Sequence, residues 1–130
     1  MIFLDANYLV SFYIESEEYH KRALEIDDEI GDRTRVISRL IIAEVINILF
    51  TKLKVDKKLI REIYGDLNSE YTLIEDHYFY DKTLNDIMNS NKRFPFFDYV
   101  FITLMKELGI KEIVSFDKHF NNQDGIVRIH

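Results

Sequence analysis

Four carboxylates have the residue type and the placing to do chemistry in this sequence: Asp5, Glu44, Asp98 and Asp117. Asp5 ends the apolar run that opens the chain, and Asp117 lies just past the run Lys111-Glu112-Ile113-Val114. Asp98 follows Pro95 in the first turn of a predicted helix, where a carboxylate meets the positive helix end and free N–H groups. Glu44 is the only charge ahead of Lys52 in LIIAEVINILFTKL. Leu40 and Ile48, four residues to either side, place it on a largely apolar helical surface. Three of the four also have an ordinary reading, since Asp5, Asp98 and Asp117 can each cap a helix. Glu44 is harder to explain that way. A carboxylate on an apolar face is costly unless it is paired or holds a cation. Arg39, another basic residue or water are its alternatives.

If the four converge, they cannot all stay ionised without a counter-ion, because like charges raise each other's pKa. A divalent cation removes that cost. Mg2+ prefers carboxylate oxygens and keeps several waters, which leaves room for a substrate phosphate. The chemistry this points to is metal-assisted phosphodiester hydrolysis. It needs no Ser, His or Cys nucleophile, and none stands in a suitable setting. The four histidines, His20, His77, His119 and His130, have no ligand spacing. His119, two residues after Asp117, reads either as a substrate contact or as a plain surface residue. No glycine-rich phosphate loop is present.

The elements that must position these acids follow from hydrophobic patterning. Five short strands are predicted: residues 1–5, Arg35–Ser38, Tyr71–Ile74, Lys111–Val114 and Ile126–Ile129. Between them come helices over Ala6–Ile14, Glu17–Ile30, Leu40–Leu53, Asp56–Asn68, Asp76–Asn91 and a last one after Pro95. Asp56 and Asp76 are read as caps of their own helices. The last helix buries Val100, Phe101, Leu104 and Leu108 and ends at Gly109, which accepts the left-handed conformation there. A turn near Phe120 and a loop over Asn122–Gly125 complete the chain. The alternation predicts an α/β fold with a mainly parallel sheet, in one domain over residues 1–130. In such sheets ligands bind past the C-terminal strand ends.

Composition narrows the function classes. Apolar residues make up 47% and aromatics 14%, which is a globular composition. The absence of cysteine excludes disulfides, thiolate catalysis and Cys-based zinc sites. A net charge of −6 argues against a nucleic-acid surface made of bulk positive charge. It fits clustered acids that hold a cation. No basic leader and no long apolar stretch is visible, so a cytoplasmic protein without a membrane association is expected.

The segments FLDAN, AEVIN, FFDYVF and IVSFDKHF, in that order and spacing, resemble the PIN-domain ribonucleases. The similarity is closest to the small VapC-type toxins of toxin–antitoxin pairs, and it covers nearly the whole chain. The resemblance implies a three-layer α/β/α fold with about five central strands, and Mg2+- or Mn2+-dependent RNA cleavage. It further implies a small antitoxin partner and a homodimer. By position, Asp5, Glu44, Asp98 and Asp117 match the acidic quartet as catalytic residues and metal ligands. Asn7 and Ser115 match small polar residues that orient carboxylates or waters. Each also has a local reading, Asn7 as a helix cap and Ser115 as the close of a strand.

Tyr99, Val100 and Phe101 depart from the small residues the family often has after its third acid. They predict different packing of that helix and a narrower substrate groove. Candidate substrate contacts are Lys92, Arg93, Lys118 and His119, with Lys52, Lys54, Lys57, Lys58 and Arg61 as a second basic group. Such runs also read as solvated helix faces. Tyr8, Phe12 and Tyr13 are candidate dimer contacts or core residues. A housekeeping RNA-processing nuclease and a non-catalytic binding module are the neighbouring readings. Asn7 stands where a haloacid-dehalogenase-type phosphatase needs Asp, and the single Asp5 argues against a response-regulator receiver.

Overall fold

Apolar runs too short for helices become five parallel strands in a computed structural model that describes residues 1–130. They are β1 (Ile2–Leu4), β2 (Arg35–Ser38), β3 (Thr72–Ile74), β4 (Glu112–Val114) and β5 (Val127–Ile129). The order in the sheet is β3-β2-β1-β4-β5. β1 is buried at every position, as a central strand covered on both faces must be. Six helices flank the sheet in an α/β/α arrangement. They are α1 (Ala6–Tyr13), α2 (His20–Ile30), α3 (Arg39–Asn47), α4 (Lys57–Ser69), α5 (Tyr80–Met88) and α6 (Phe96–Leu108). α1 packs on α2 and α3, α3 on α4, and α5 on α6. None of the helices is long and apolar enough to cross a membrane.

The chain winds from β1 outward to β3, then returns to lay β4 and β5 on the other side of β1. The switch point of the sheet therefore lies between β1 and β4. Their register pairs Phe3 with Ile113 and Leu4 with Val114, so both strands end level. Asp5 and Ser115 leave the sheet side by side, at the crevice where open α/β sheets bind ligands.

Several local expectations change. α2 begins at His20 rather than Glu17. The His20 ring bonds the Ser11 carbonyl at 2.8 Å, one of the groups left open at the end of α1, and fixes the reversal there. The expected helix over Leu40–Leu53 gives way after Asn47 to a π-helical turn, Ile48–Lys52, where the Thr51 hydroxyl donates to the Asn47 carbonyl at 2.7 Å. Leu108 is exposed rather than buried, because it sits in the last turn of α6 beside Gly109. Tyr8 is only 1% exposed and belongs to the core, while Phe12 and Tyr13 pack half-buried against it. They leave no free aromatic patch on α1.

Asp76 does not cap its own helix. A 3-10 turn, Asp76–Phe79, precedes α5, and the Asp76 side chain reaches across to the start of α3. Its Oδ2 accepts the Leu40 N–H at 2.7 Å, and its Oδ1 accepts the Tyr80 hydroxyl at 3.4 Å. With Asp76 only 3% exposed, this carboxylate ties the end of β3 to the helix that carries Glu44. Asp76→Ala leaves the Leu40 N–H without its partner and is expected to cost about 2 kcal/mol. Urea unfolding reads this as a lower midpoint at unchanged slope; an unchanged midpoint would refute the tie.

Candidate active site

Asp5 is the best-buried acid of the set, 5% exposed, and its bonds are made locally and across the sheet. Its Oδ1 accepts the Ala6 N–H at 2.8 Å, so it does cap α1. Its Oδ2 accepts the Ser115 hydroxyl at 2.6 Å. The Ser115 Oγ in turn accepts the Asp117 N–H at 3.0 Å. One hydroxyl thus holds both the carboxylate that ends β1 and the backbone of the acid that follows β4. Asn7 does not cap α1. Its Oδ1 accepts the Phe116 N–H at 3.1 Å, and its Nδ2 donates to Ser115 Oγ at 3.4 Å. Asn7 and Ser115 form one brace between the two chain segments.

The second pair of acids meets at His119. Asp117 opens a short 3-10 turn, Lys118–Phe120, and its Oδ1 accepts the His119 N–H at 2.9 Å. That turn carries the His119 ring back over the carboxylates. Its Nδ1 lies 2.9 Å from Asp98 Oδ2 and 3.3 Å from Asp117 Oδ2. One donor atom from each of Asp98, Asp117 and His119 fits within 4.8 Å of the others. Asp98 is not a cap, since no side chain caps α6. Burial of Tyr99, Val100 and Phe101 anchors that helix. Phe101 packs on Phe3 at 5.4 Å, and the Tyr99 hydroxyl donates to the Lys92 carbonyl at 2.6 Å.

Residues 2–126 match the model of the PIN domain family. The chain belongs to the PIN domain family. Known structures share the fold at low identity. VapC20 of Mycobacterium tuberculosis, a sarcin-ricin loop cleaving toxin, is 12% identical and superposes with a TM-score of 0.78 over 91% of each chain. VapBC2 from Rickettsia felis, solved bound to a DNA fragment from its promoter, is 15% identical. Its TM-score is 0.67, covering 99% of this chain and 98% of that one. FitAcB from Neisseria gonorrhoeae is 14% identical, with a TM-score of 0.63 over 91% of this chain and 88% of the other. No curated protein matches the chain.

Electrostatics join the four acids of this PIN domain. The Glu44 side chain, half-buried on α3, forms no hydrogen bond and no ion pair; Arg39 turns instead to Glu75 at 3.1 Å and Asn68 at 2.9 Å. Burial, then the charges of Asp5 and Asp98, push the Glu44 carboxyl up to about 8. Burial pushes Asp5 up to about 6 against the bonds from Ser115 and Ala6, with Asp98 and Asp117 adding to the rise. Asp98 is raised by burial, opposed by its bond to His119. His119 is raised by that same bond first, and by the charges of Asp117, Asp98 and Asp5.

No Lys or Arg pairs with any of the four acids, and His119 is the only basic group bonded to them. Oxygen donors in excess of local positive charge, one of them without any partner, suit a hard divalent cation. His119, expected as a substrate contact or a plain surface residue, is bound instead to Asp98 and Asp117. Its signal is the spacing Asp-x-His across a tight turn.

The remaining basic candidates do not join this cluster. Lys92 reaches the Gln123 side chain at 3.3 Å and lines a polar cavity of about 640 Å3 between α5, α6 and the loop near Gln123. Arg93 lines a separate hollow with Phe94 and Phe96. Phe94 stacks on Tyr99 at 4.2 Å and lies 5.9 Å from the His119 ring. Lys118 points into a cleft with Tyr19 and Arg22.

Proposed function

We propose that this PIN domain is a metal-dependent endoribonuclease, and that it works in the cytoplasm as a VapC-type toxin restrained by a small antitoxin protein. The observation that carries the nuclease reading is the unpartnered Glu44 carboxylate, which feels the charges of Asp5 and Asp98, next to the cluster of Asp98, Asp117 and His119. Asp5, Glu44, Asp98 and Asp117 would hold Mg2+ or Mn2+. When bound, such a cation polarises a phosphoryl oxygen and eases ionisation of the attacking water.

The chain's own residues do the positioning. Ser115 and Asn7 fix Asp5 relative to the turn after β4. Asp117 holds its turn through the His119 N–H. His119 keeps the Asp98 carboxylate oriented and offers a donor at the edge of the site. The overall reaction adds water across one phosphodiester bond of RNA, with the water oxygen joining phosphorus and one ribose oxygen leaving with the proton.

Likeness to VapC20 supports the toxin role. The first test is a pool of structured RNAs incubated with EDTA, Mg2+ or Mn2+. Discrete fragments only with metal are expected, and no cleavage by folded protein under any condition would move the weight to a non-catalytic binding module. Growth arrest on expression, relieved by a co-expressed antitoxin, separates toxin from housekeeping nuclease.

A homodimer belongs to this reading, and Tyr78, Leu84 and Met88, exposed along residues 78–88, would be candidate contacts for it. Sedimentation that shows only monomer at high concentration would remove the dimer.

A further inference from the structure

Behind the turn that carries Asp117, a cleft of about 340 Å3 is lined by Tyr19, Arg22, Phe116, Lys118, Arg128 and His130. No carboxylate side chain lines it, on a chain whose net charge is −6. Arg22 is committed to Glu25 at 3.3 Å and Glu29 at 2.9 Å. Lys118 and Arg128 form no ion pair at all. Arg128 is nevertheless held in place. Its Nε donates to Asn121 Oδ1 at 2.6 Å and its Nη1 to the Ser115 carbonyl at 3.0 Å, which leaves Nη2 without a protein partner. Tyr19 stacks on Phe116 at 4.7 Å and stays 47% exposed.

The cleft is tied to the acids through the chain and through Ser115. Phe116 and Lys118 flank Asp117 in the chain. Ser115 meets Asp5 with its hydroxyl and Arg128 with its carbonyl. A preorganised guanidinium and a free ammonium suit a phosphate, and an exposed aromatic face suits any unpaired base. Local positive charge of this kind can steer a polyanion to an otherwise acidic surface. We propose that the cleft is a nucleotide subsite for single-stranded RNA beside the scissile bond. A base stacks on Tyr19, and its phosphate lies against Lys118 and Arg128. The proposal rests on the nuclease reading and adds to it where the strand runs.

The test is binding of a single-stranded RNA oligonucleotide that carries 2-aminopurine, in EDTA so that nothing is cut. The parent is compared with Tyr19→Leu, Tyr19→Phe and Lys118→Gln, each checked for a parental circular dichroism spectrum. Binding to the parent should quench the 2-aminopurine. Tyr19→Leu should lose the quench and bind about 10-fold more weakly, while Tyr19→Phe keeps both. Lys118→Gln should lower the log–log salt slope by about 0.7, the share of one phosphate contact on a single strand. Inorganic polyphosphate should bind Tyr19→Leu as well as it binds the parent. Parental quench and slope in Tyr19→Leu and Lys118→Gln would overturn the subsite, and so would a parent that binds no RNA. Cleavage in Mg2+ is scored separately. A parent that cuts RNA while the variants bind like it loses the cleft and keeps the nuclease. Variants that lose the quench when no RNA is ever cut keep the cleft and lose the nuclease.

Discussion

Asp98→Asn should reduce metal-dependent RNA cleavage by about 100- to 1,000-fold, the scale of losing one electrostatic group aimed at the reacting centre. The substitution keeps shape and volume. Asparagine retains an oxygen for the His119 bond, and nothing in the α6 cap depends on the carboxylate. The thermal midpoint without metal should therefore stay level or rise, because a buried charge beside Asp117 is gone. Cleavage at the parental rate by this variant would remove Asp98 from the site. Loss of cleavage together with a collapsed midpoint would assign it a structural role.

In EDTA, the protein should become less stable as pH rises from about 5 to 8.5. The Glu44 and Asp5 carboxyls have folded-state values of about 8 and about 6, both above their ordinary values of 4.5 and 3.8. Asp98 shifts the same way. Between the unfolded and folded values the native state binds more protons than the unfolded chain, so stability falls with rising pH. His119 adds in the same sense: the stability its raised value supplies is present at low pH and lost as the ring deprotonates. The melting midpoint should drop by about 5 °C or more between pH 5.5 and 8.5, which corresponds to roughly 1–2 kcal/mol for a domain of this size. Saturating Mg2+ should remove most of the difference, since it binds the ionised native form. Glu44→Gln should flatten the profile in EDTA, which separates the site from the general charge of the chain. A midpoint that holds or rises with pH would refute the unpaired-acid account.

Two of the ordinary readings weighed against the site prove to be local truths. Asp5 caps α1, and Asp117 holds its 3-10 turn. Neither role excludes the other, because a carboxylate has two oxygens. Asp5 gives Oδ1 to the helix and Oδ2 to Ser115, while Asp117 keeps Oδ2 toward His119. The Glu44 alternatives end differently. Arg39 is spent on Glu75 and no other basic residue pairs with Glu44, which leaves water as the one alternative open to this half-buried acid.

Sequence by itself determined the strands, most helix starts and the placing of acids at strand ends, because these depend on contacts within a few residues. Apolar runs, Pro95 before α6, Asp56 before α4 and the left-handed Gly109 after α6 are all local signals. Tertiary structure alone decided what those acids meet. Ser115 reaches Asp5 over a separation of 110 residues, and only the level register of β1 with β4 brings them together. Asp76 left its own helix for Leu40 because the pairing of β2 with β3 sets Ser38 opposite Ile74 and brings the two chain ends close. The same sheet order carries Arg128, on its edge strand, back to the Ser115 carbonyl, and so builds a basic cleft that no stretch of the chain displays. Local energetics choose each element, but the crevice exists because the winding reverses between β1 and β4, and that is a property of the sheet as a whole.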